Sequence, residues 1–153
     1  VDAEAGKQEL LVTRDFDLPV EALFRAFAEA AIVEQWMGTR VLSLEAKKQG
    51  WYQFETSDAK GNVVFRANGA IHEFVPNEKI TRTFEMENAP FPVQLEFLEF
   101  KALTAETSSL QMKMIFKSVD DRDRLLKMPF AQGINFAHDR LQKVMENLKS
   151  QQI

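Results

Sequence analysis

The sequence has no cysteine, one tyrosine and only two histidines, His72 and His138, among its 153 residues. The lack of cysteine excludes disulfides, thiolate metal sites and cysteine nucleophiles. The two histidines are far apart and form no His-x-x-x-His or His-Glu-x-x-His motif, so we predict neither a metal nor a cofactor. The motifs Gly-x-Ser-x-Gly, Gly-x-Gly-x-x-Gly and the P-loop are also missing, which leaves hydrolase, dinucleotide and nucleoside-triphosphate functions without support.

Long hydrophobic runs and an excess of positive charge are missing as well. No stretch of 18 apolar residues occurs and no signal-peptide pattern is visible, so we predict a cytoplasmic protein that does not associate with membranes. The formal net charge is −4 with both signs interspersed, which gives no electrostatic basis for binding nucleic acid. A monomer and a homodimer are both compatible with the sequence.

Phenylalanine, in contrast, is abundant, with 13 residues. Its ring brings apolar area without a polar group, which suits a large core or an apolar pocket. The chain contains no internal repeat, linker or low-complexity tract, and its length fits one domain. We therefore predict a single domain over residues 1–153, with residues 1–8 flexible.

Alternating apolar and polar residues predict seven strands. The predicted strands cover residues 9–16, 41–46, 50–56, 63–75, 79–87, 93–101 and 106–116. The loop 88–92 contains two prolines, which cannot donate to a sheet ladder. Gly69 lies near the middle of the longest strand and predicts a bulge or a sharp coil of the strand there, and either would let the sheet curve around another element.

Helical spacing occurs in three places. Apolar residues after Pro19 follow the i, i+3, i+4, i+7 pattern, a second short helix over residues 30–37 ends at Gly38, and Ser118 with Asp121 resembles a capping box. The last helix, from Pro129 to about Ser150, is about 30 Å long and has one continuous apolar stripe. Its members are Ile134, His138, Leu141, Met145 and Leu148. A stripe of this length needs a sheet to cover it, which predicts an α+β fold with a curved antiparallel sheet around the C-terminal helix.

Several motifs along the chain match a known family. They are Trp36-Met37-Gly38, Gly50-x-Tyr52-x-Phe54, Gly69-x-Ile71-x-Glu73-Phe74-x-Pro76-x-Glu78-x-Ile80 and Asp139-Arg140-Leu141. In this order they resemble the START-like, or Bet v 1-like (SRPBCC), helix-grip fold, and more closely the bacterial branch of the family named after the activator of the Hsp90 ATPase. The chain departs from that family at residues 45–50, where Asp-x-Arg-x-Gly-Gly is frequent, and at Ile134, where Trp is frequent. The resemblance implies an apolar cavity and a binding role, and it implies no particular reaction.

Side chains expected between the sheet and the last helix are candidate ligand-binding residues. They are Tyr52, Phe54, Ile71, Arg82, Phe84, Phe97, Met112, Met114, Ile134 and His138. These positions share strand parity with apolar neighbours or lie on the stripe of the last helix. Methionine side chains would make such a pocket adaptable. No catalytic residue is assigned.

The two polar candidates each have alternative interpretations. An inward Arg82 requires a carboxylate partner or a bound anion, because an unpaired buried charge is strongly destabilising. Glu99 shares parity with Phe97 and is a candidate partner. Arg82 could instead anchor an acidic ligand head group, or lie at the sheet edge and reach water. His138 would be either a polar anchor for a ligand or a core histidine bonded to backbone or water. His72 is expected to be solvated.

Three functions are compatible with these features. The first is non-enzymatic binding of an apolar or amphipathic small molecule in a cavity between sheet and C-terminal helix. The second is a protein-interaction module, co-chaperone-like in a stress response, that would use the exposed loop Pro90-Phe91-Pro92. The third is a cyclase- or dehydratase-like enzyme, which would depend on His138 and Arg82.

Overall fold

Strands and helices follow one another in nearly the predicted order. The structure is a computed structural model that describes residues 1–87 and 89–151. Within them the elements are β1 (Glu9–Phe16), α1 (Val20–Ala28), α2 (Ala30–Met37), β2 (Arg40–Leu44), β3 (Trp51–Ser57), β4 (Val63–Val75), β5 (Lys79–Met86), β6 (Gln94–Ala102), β7 (Ser108–Ile115), α3 (Val119–Leu126) and α4 (Phe130–Gln151). No helix in this part of the chain combines the length and hydrophobicity needed to cross a membrane.

All seven strands form a single sheet in the order β1-β7-β6-β5-β4-β3-β2. Every pair of neighbours is antiparallel. Strands β2 to β7 pair in chain order, and β1 pairs with β7, so the helices α1 and α2 connect strands at opposite edges of the sheet. This arrangement, completed by the long helix α4, confirms the predicted α+β fold class.

The predicted bulge at Gly69 is wrong in position. The pairing of β4 with β5 is regular past Gly69 and shifts only between Ile71 and Glu73. Gly69 is required for another reason: a Cβ atom there would clash with the ring of Tyr52 and with the carbonyl oxygen of Thr83. The glycine therefore allows an aromatic ring to lie flat against the strand.

Segment boundaries agree closely elsewhere. β1, α2 and β4 coincide with the predicted spans, and β2 ends two residues early. The hydroxyl of Ser118 accepts a hydrogen bond from the backbone N–H of Asp121 at 3.1 Å, which confirms the predicted cap of α3. In the predicted loop 88–92, Asn88 lies outside the described residues. In the segment 1–8, Asp2 forms an isolated antiparallel bridge with Leu11.

The core lies between the inner face of the sheet and the helices α1, α2 and α4. The apolar face of α1 is buried as its spacing predicts, and edge-to-face aromatic contacts connect it to the sheet and to α2. Phe27 contacts both Phe100 and Trp36, with ring centroids 5.5 Å and 5.1 Å apart. The indole Nε1 of Trp36 donates to the carbonyl oxygen of Ala26 at 2.7 Å, so this buried polar group is satisfied.

The stripe of α4 is buried unevenly. His138, Leu141 and Met145 are 2%, 0% and 3% exposed, whereas Ile134, near the start of the stripe, and Leu148, at its end, are half-buried. Phe130, in the first turn of α4, is half-buried as well, so the start of the helix is packed less tightly against the core than its middle.

Candidate ligand-binding cavity

A cavity of about 230 Å³ lies between the first half of α4, the helices α1 and α2, and strands β5, β6 and β7. The lining residues are Phe27, Trp36, Met37, Arg82, Phe84, Gln94, Glu96, Met112, Met114, Phe130, Ile134, Ala137 and His138. Nine of these thirteen side chains are apolar. The other four are polar or charged, and ligand sites typically combine such a mostly apolar wall with a few polar groups.

Six of the ten predicted residues line this cavity. They are Arg82, Phe84, Met112, Met114, Ile134 and His138. Tyr52, Phe54 and Ile71 are buried, as expected for inward-facing residues, but they lie outside the lining set because they pack into the core beside it. Their predicted role in direct ligand contact is therefore not supported by their position.

Phe97, the tenth residue, lies on the opposite face of the sheet. Burial alternates along β6 so that Gln94, Glu96 and Leu98 are buried, whereas Phe97 is half-buried and Glu99 exposed. Phe97 instead shares an outer-face depression with Glu99 and Lys113. The inward placement of Phe97 and the pairing of Arg82 with Glu99 are both wrong, because the predicted phase of β6 is displaced by one residue.

The partner of Arg82 is Glu96. The two residues are directly opposite on β5 and β6, and the Nε–H of Arg82 donates to Oε1 of Glu96 at 3.0 Å. Their side chains are only 11% and 5% exposed. The second carboxylate oxygen, Oε2, accepts from the amide of Gln94 at 2.8 Å, and that amide also contacts the sulfur of Met114. Both oxygens of Glu96 are thus satisfied, as a buried carboxylate requires.

The ring of Tyr52 packs against the guanidinium group of Arg82. The guanidinium carbon of Arg82 lies over the Tyr52 ring, 5.1 Å from its centroid, and the Tyr52 hydroxyl donates to the carbonyl oxygen of Thr83. Burial raises the pKa of the Tyr52 hydroxyl far above its usual range, although the positive charge of Arg82 opposes the shift. Tyr52 therefore remains a neutral platform that positions Arg82 by a cation–π contact.

His138 forms the opposite polar wall of the cavity. It is 2% exposed, and its ring packs against Phe16 and Trp36, with centroids 5.6 Å and 6.4 Å away. Its Nδ1 atom is buried and has no hydrogen-bond partner among the described residues. Desolvation, reinforced by the charge of Arg14, lowers the pKa of His138 to about 4. The ring is therefore neutral at neutral pH.

Seven of the lining residues are not among the residues predicted from the sequence. They are Phe27, Trp36, Met37, Gln94, Glu96, Phe130 and Ala137. Phe27 lies on the predicted stripe of α1 and Ala137 beside that of α4, so both could have been proposed from helical spacing. Gln94 and Glu96 carry no such signal, since polar residues on a strand are expected to face solvent. Across residues 1–87 and 89–151, no group of three or more His, Asp or Glu side chains is placed to hold a metal ion.

Comparisons with known proteins agree with this architecture. A family model described as "Activator of Hsp90 ATPase homolog 1-like protein" matches residues 17–146. No curated protein matches the chain. Several solved structures do match it over nearly its whole length.

A protein from Arthrobacter aurescens, solved by solution NMR, superposes with a TM-score of 0.84 at 13% identity, covering 95% of this chain and 90% of that one. A crystal structure from Rhodobacter sphaeroides gives 0.81 at 17% identity, covering 92% and 93%. A protein from the dynemicin biosynthetic locus gives 0.71 at 13% identity, covering 92% of this chain but 48% of its own. At these identities the similarity concerns the fold alone. Because the family model spans most of the chain and the solved structures share its sheet and long C-terminal helix, the protein belongs to the Activator of Hsp90 ATPase homolog 1-like family, with the START-like helix-grip fold.

Proposed function

We propose that this protein binds an apolar or amphipathic small molecule, without changing it chemically, in the cavity under the first half of α4. The observation that carries the proposal is a space of about 230 Å³ with nine apolar lining residues and a buried polar network, in which Arg82 and Gln94 donate to Glu96, on one wall. Apolar side chains that border a partly open space of this size lack packing contacts on one side. A bound molecule would supply those contacts.

The dimensions of the cavity limit the size of the ligand. An apolar cavity of about 150 Å³ is known to accommodate benzene, so a cavity of about 230 Å³ suits a molecule with one or two rings or a comparable short chain. Met37, Met112 and Met114 lie in the wall, and their flexible side chains would let it adapt to different shapes.

The loop proposed for a protein-interaction function has less support. Phe91 is half-buried, and the carbonyl oxygen of Pro90 accepts a hydrogen bond from Arg124 at 2.7 Å. The loop is thus held against α3, and Phe91, its one aromatic residue, is only partly accessible. The cavity, in contrast, combines apolar area and polar groups in one place, which favours small-molecule binding.

A thermal-shift screen with one- to three-ring aromatics, fatty acids and steroids tests the proposal. A ligand at about a hundred times its dissociation constant would stabilise the protein by about 2.7 kcal/mol, which is readily measured. Ala137→Phe should abolish the shift, because the new ring would occupy the cavity. Asn147→Phe, which adds the same ring on the exposed face of α4, is the matched control. If no compound stabilises the wild type, or if A137F responds as the wild type does, the proposal is wrong.

A further inference from the structure

We infer that the cavity selects uncharged molecules that carry a hydrogen-bond-accepting oxygen, such as aryl ketones, and discriminates against the corresponding carboxylates. The inference rests on the proposed function and narrows its ligand class. It depends on the charges and hydrogen bonds of the four polar lining residues.

Among the described residues, the cavity wall has no unpaired acidic or basic side chain. Arg82 and Glu96 are the basic and acidic members of its lining, and they form an ion pair with 3.0 Å between Nε and Oε1. The remaining polar members are the Gln94 amide and His138, whose ring is neutral. A ligand carboxylate placed here would lose its hydration and lie near the carboxylate of Glu96 without gaining a free cation. Burying an anion under these conditions is strongly unfavourable.

The hydrogen-bonding capacity left at the Arg82–Glu96 pair favours a ligand acceptor. Both oxygens of Glu96 already have protein donors, so the carboxylate needs no ligand N–H or O–H group. A guanidinium has five N–H donors, and within the described residues Arg82 uses one of them, its Nε–H, in a hydrogen bond to a side chain. A carbonyl or hydroxyl oxygen could accept from Arg82 at little desolvation cost, while the rest of the ligand contacts the apolar wall.

Three naphthalenes of nearly identical shape test this selectivity: 2-acetylnaphthalene, its apolar analogue 2-isopropenylnaphthalene, and 2-naphthoate. Calorimetric titration of the wild-type protein near neutral pH measures each dissociation constant. We expect 2-acetylnaphthalene to bind most tightly and 2-naphthoate at least about tenfold more weakly. The isopropenyl compound should bind more weakly than the ketone and more tightly than 2-naphthoate, because it lacks the acceptor but also lacks the charge.

Each result has a distinct meaning. If 2-naphthoate binds as tightly as the ketone or more tightly, the inference is overturned while the proposed function stands. If the ketone binds no more tightly than the isopropenyl compound, the acceptor requirement is wrong. If none of the three binds, the proposed function fails for two-ring ligands and the inference fails with it.

Glu96→Gln tests the cause of the selectivity. Without the carboxylate, Arg82 becomes an uncompensated cation that lines the cavity, so 2-naphthoate should gain at least about tenfold relative to 2-acetylnaphthalene. Glu99→Gln removes the same charge from the outer face and should leave the ranking unchanged. An unchanged ranking in folded E96Q would overturn the charge argument. If E96Q does not fold, the ranking on the wild-type protein still decides the inference.

Discussion

The two halves of α4 continue one apolar stripe but cover very different surroundings. Leu141 and Met145, in the second half, are buried in a contiguous apolar core. Phe130 and Ile134, in the first half, are half-buried and border a cavity whose opposite wall contains Arg82. The helix is the same in both places, so the difference arises from what the sheet presents to it.

The residues under the first half of α4 are therefore not those that would give the folded protein its greatest stability. A buried ion pair is often no more stable than apolar residues of the same volume, and a cavity forfeits packing contacts. The Arg82–Glu96 pair and the space beside it therefore lower the stability of the first half relative to an apolar filling. Departures of this kind from close packing are expected at functional sites, which is why the cavity is the better candidate than any other part of the core.

The largest effect is expected from Arg82→Met, which breaks the polar wall. Removal of the cation leaves the Glu96 carboxylate buried without its charged partner, and we expect the free energy of unfolding to fall by about 3–5 kcal/mol. Urea denaturation followed by circular dichroism measures the change. The double variant R82M/E96Q, which removes both charges, should recover most of the loss. A single variant as stable as the double variant would contradict the ion-pair argument.

Leu141→Ala and Ile134→Ala compare the two halves directly. L141A should lower the free energy of unfolding by about 2–4 kcal/mol, because it opens a void in the filled core. I134A should cost only about 1 kcal/mol, since its side chain is half-buried beside an existing space. Binding of 2-acetylnaphthalene should weaken in I134A and stay unchanged in folded L141A. Equal stability losses together with equal affinities would remove the distinction between the halves.

His138 gives the first half of α4 a pH-dependent contribution to stability. Its pKa is about 4 in the folded protein and near 6.5 in the unfolded chain, chiefly because burial disfavours the charged ring. Between these values the unfolded chain binds a proton that the folded protein does not, so stability is full above about pH 7 and falls as the pH decreases.

We expect the wild type to lose about 2 kcal/mol more than His138→Gln between about pH 7.5 and about pH 5, because the variant has no group that titrates at this position. Urea denaturation of both proteins across this range measures the difference, from which the contribution of the shared carboxylates cancels. Parallel stability curves for the two proteins would show that His138 is protonated as readily in the folded state as in the unfolded one.

Much of the fold could be predicted from local patterns. The spacing of Leu23, Phe24 and Phe27 indicated the buried face of α1, and the hydroxyl of Ser118 indicated the start of α3. Such signals are local, because capping and helical periodicity depend on neighbours within a few residues. The position of the bulge in β4 was not predictable in the same way. Gly69 is explained by the close approach of Tyr52, a residue on the adjacent strand.

The candidate site could be predicted only in part, because the sequence of β6 does not decide which of its side chains face the helix. Leu95 and Phe97 favour one face, whereas Leu98 and Phe100 favour the other, so alternation within the strand does not decide between them. What decides is the register with β5, which places Glu96 opposite Arg82. This pairing is a non-local fact, and a displacement of one residue exchanges every side chain between the two faces.

The smallest expected effect comes from Glu99→Gln, which tests which side chains of β6 face the helix α4. Glu99 is exposed on the outer face, opposite Lys79 of β5, and surface substitutions of this kind usually change stability by less than about 0.5 kcal/mol. Urea denaturation and the three naphthalene titrations should both give wild-type values. A change in the ratio of ketone to carboxylate affinity would place Glu99, rather than Glu96, against the cavity. Because the two glutamates are three residues apart on one strand, only one of them can face the helix.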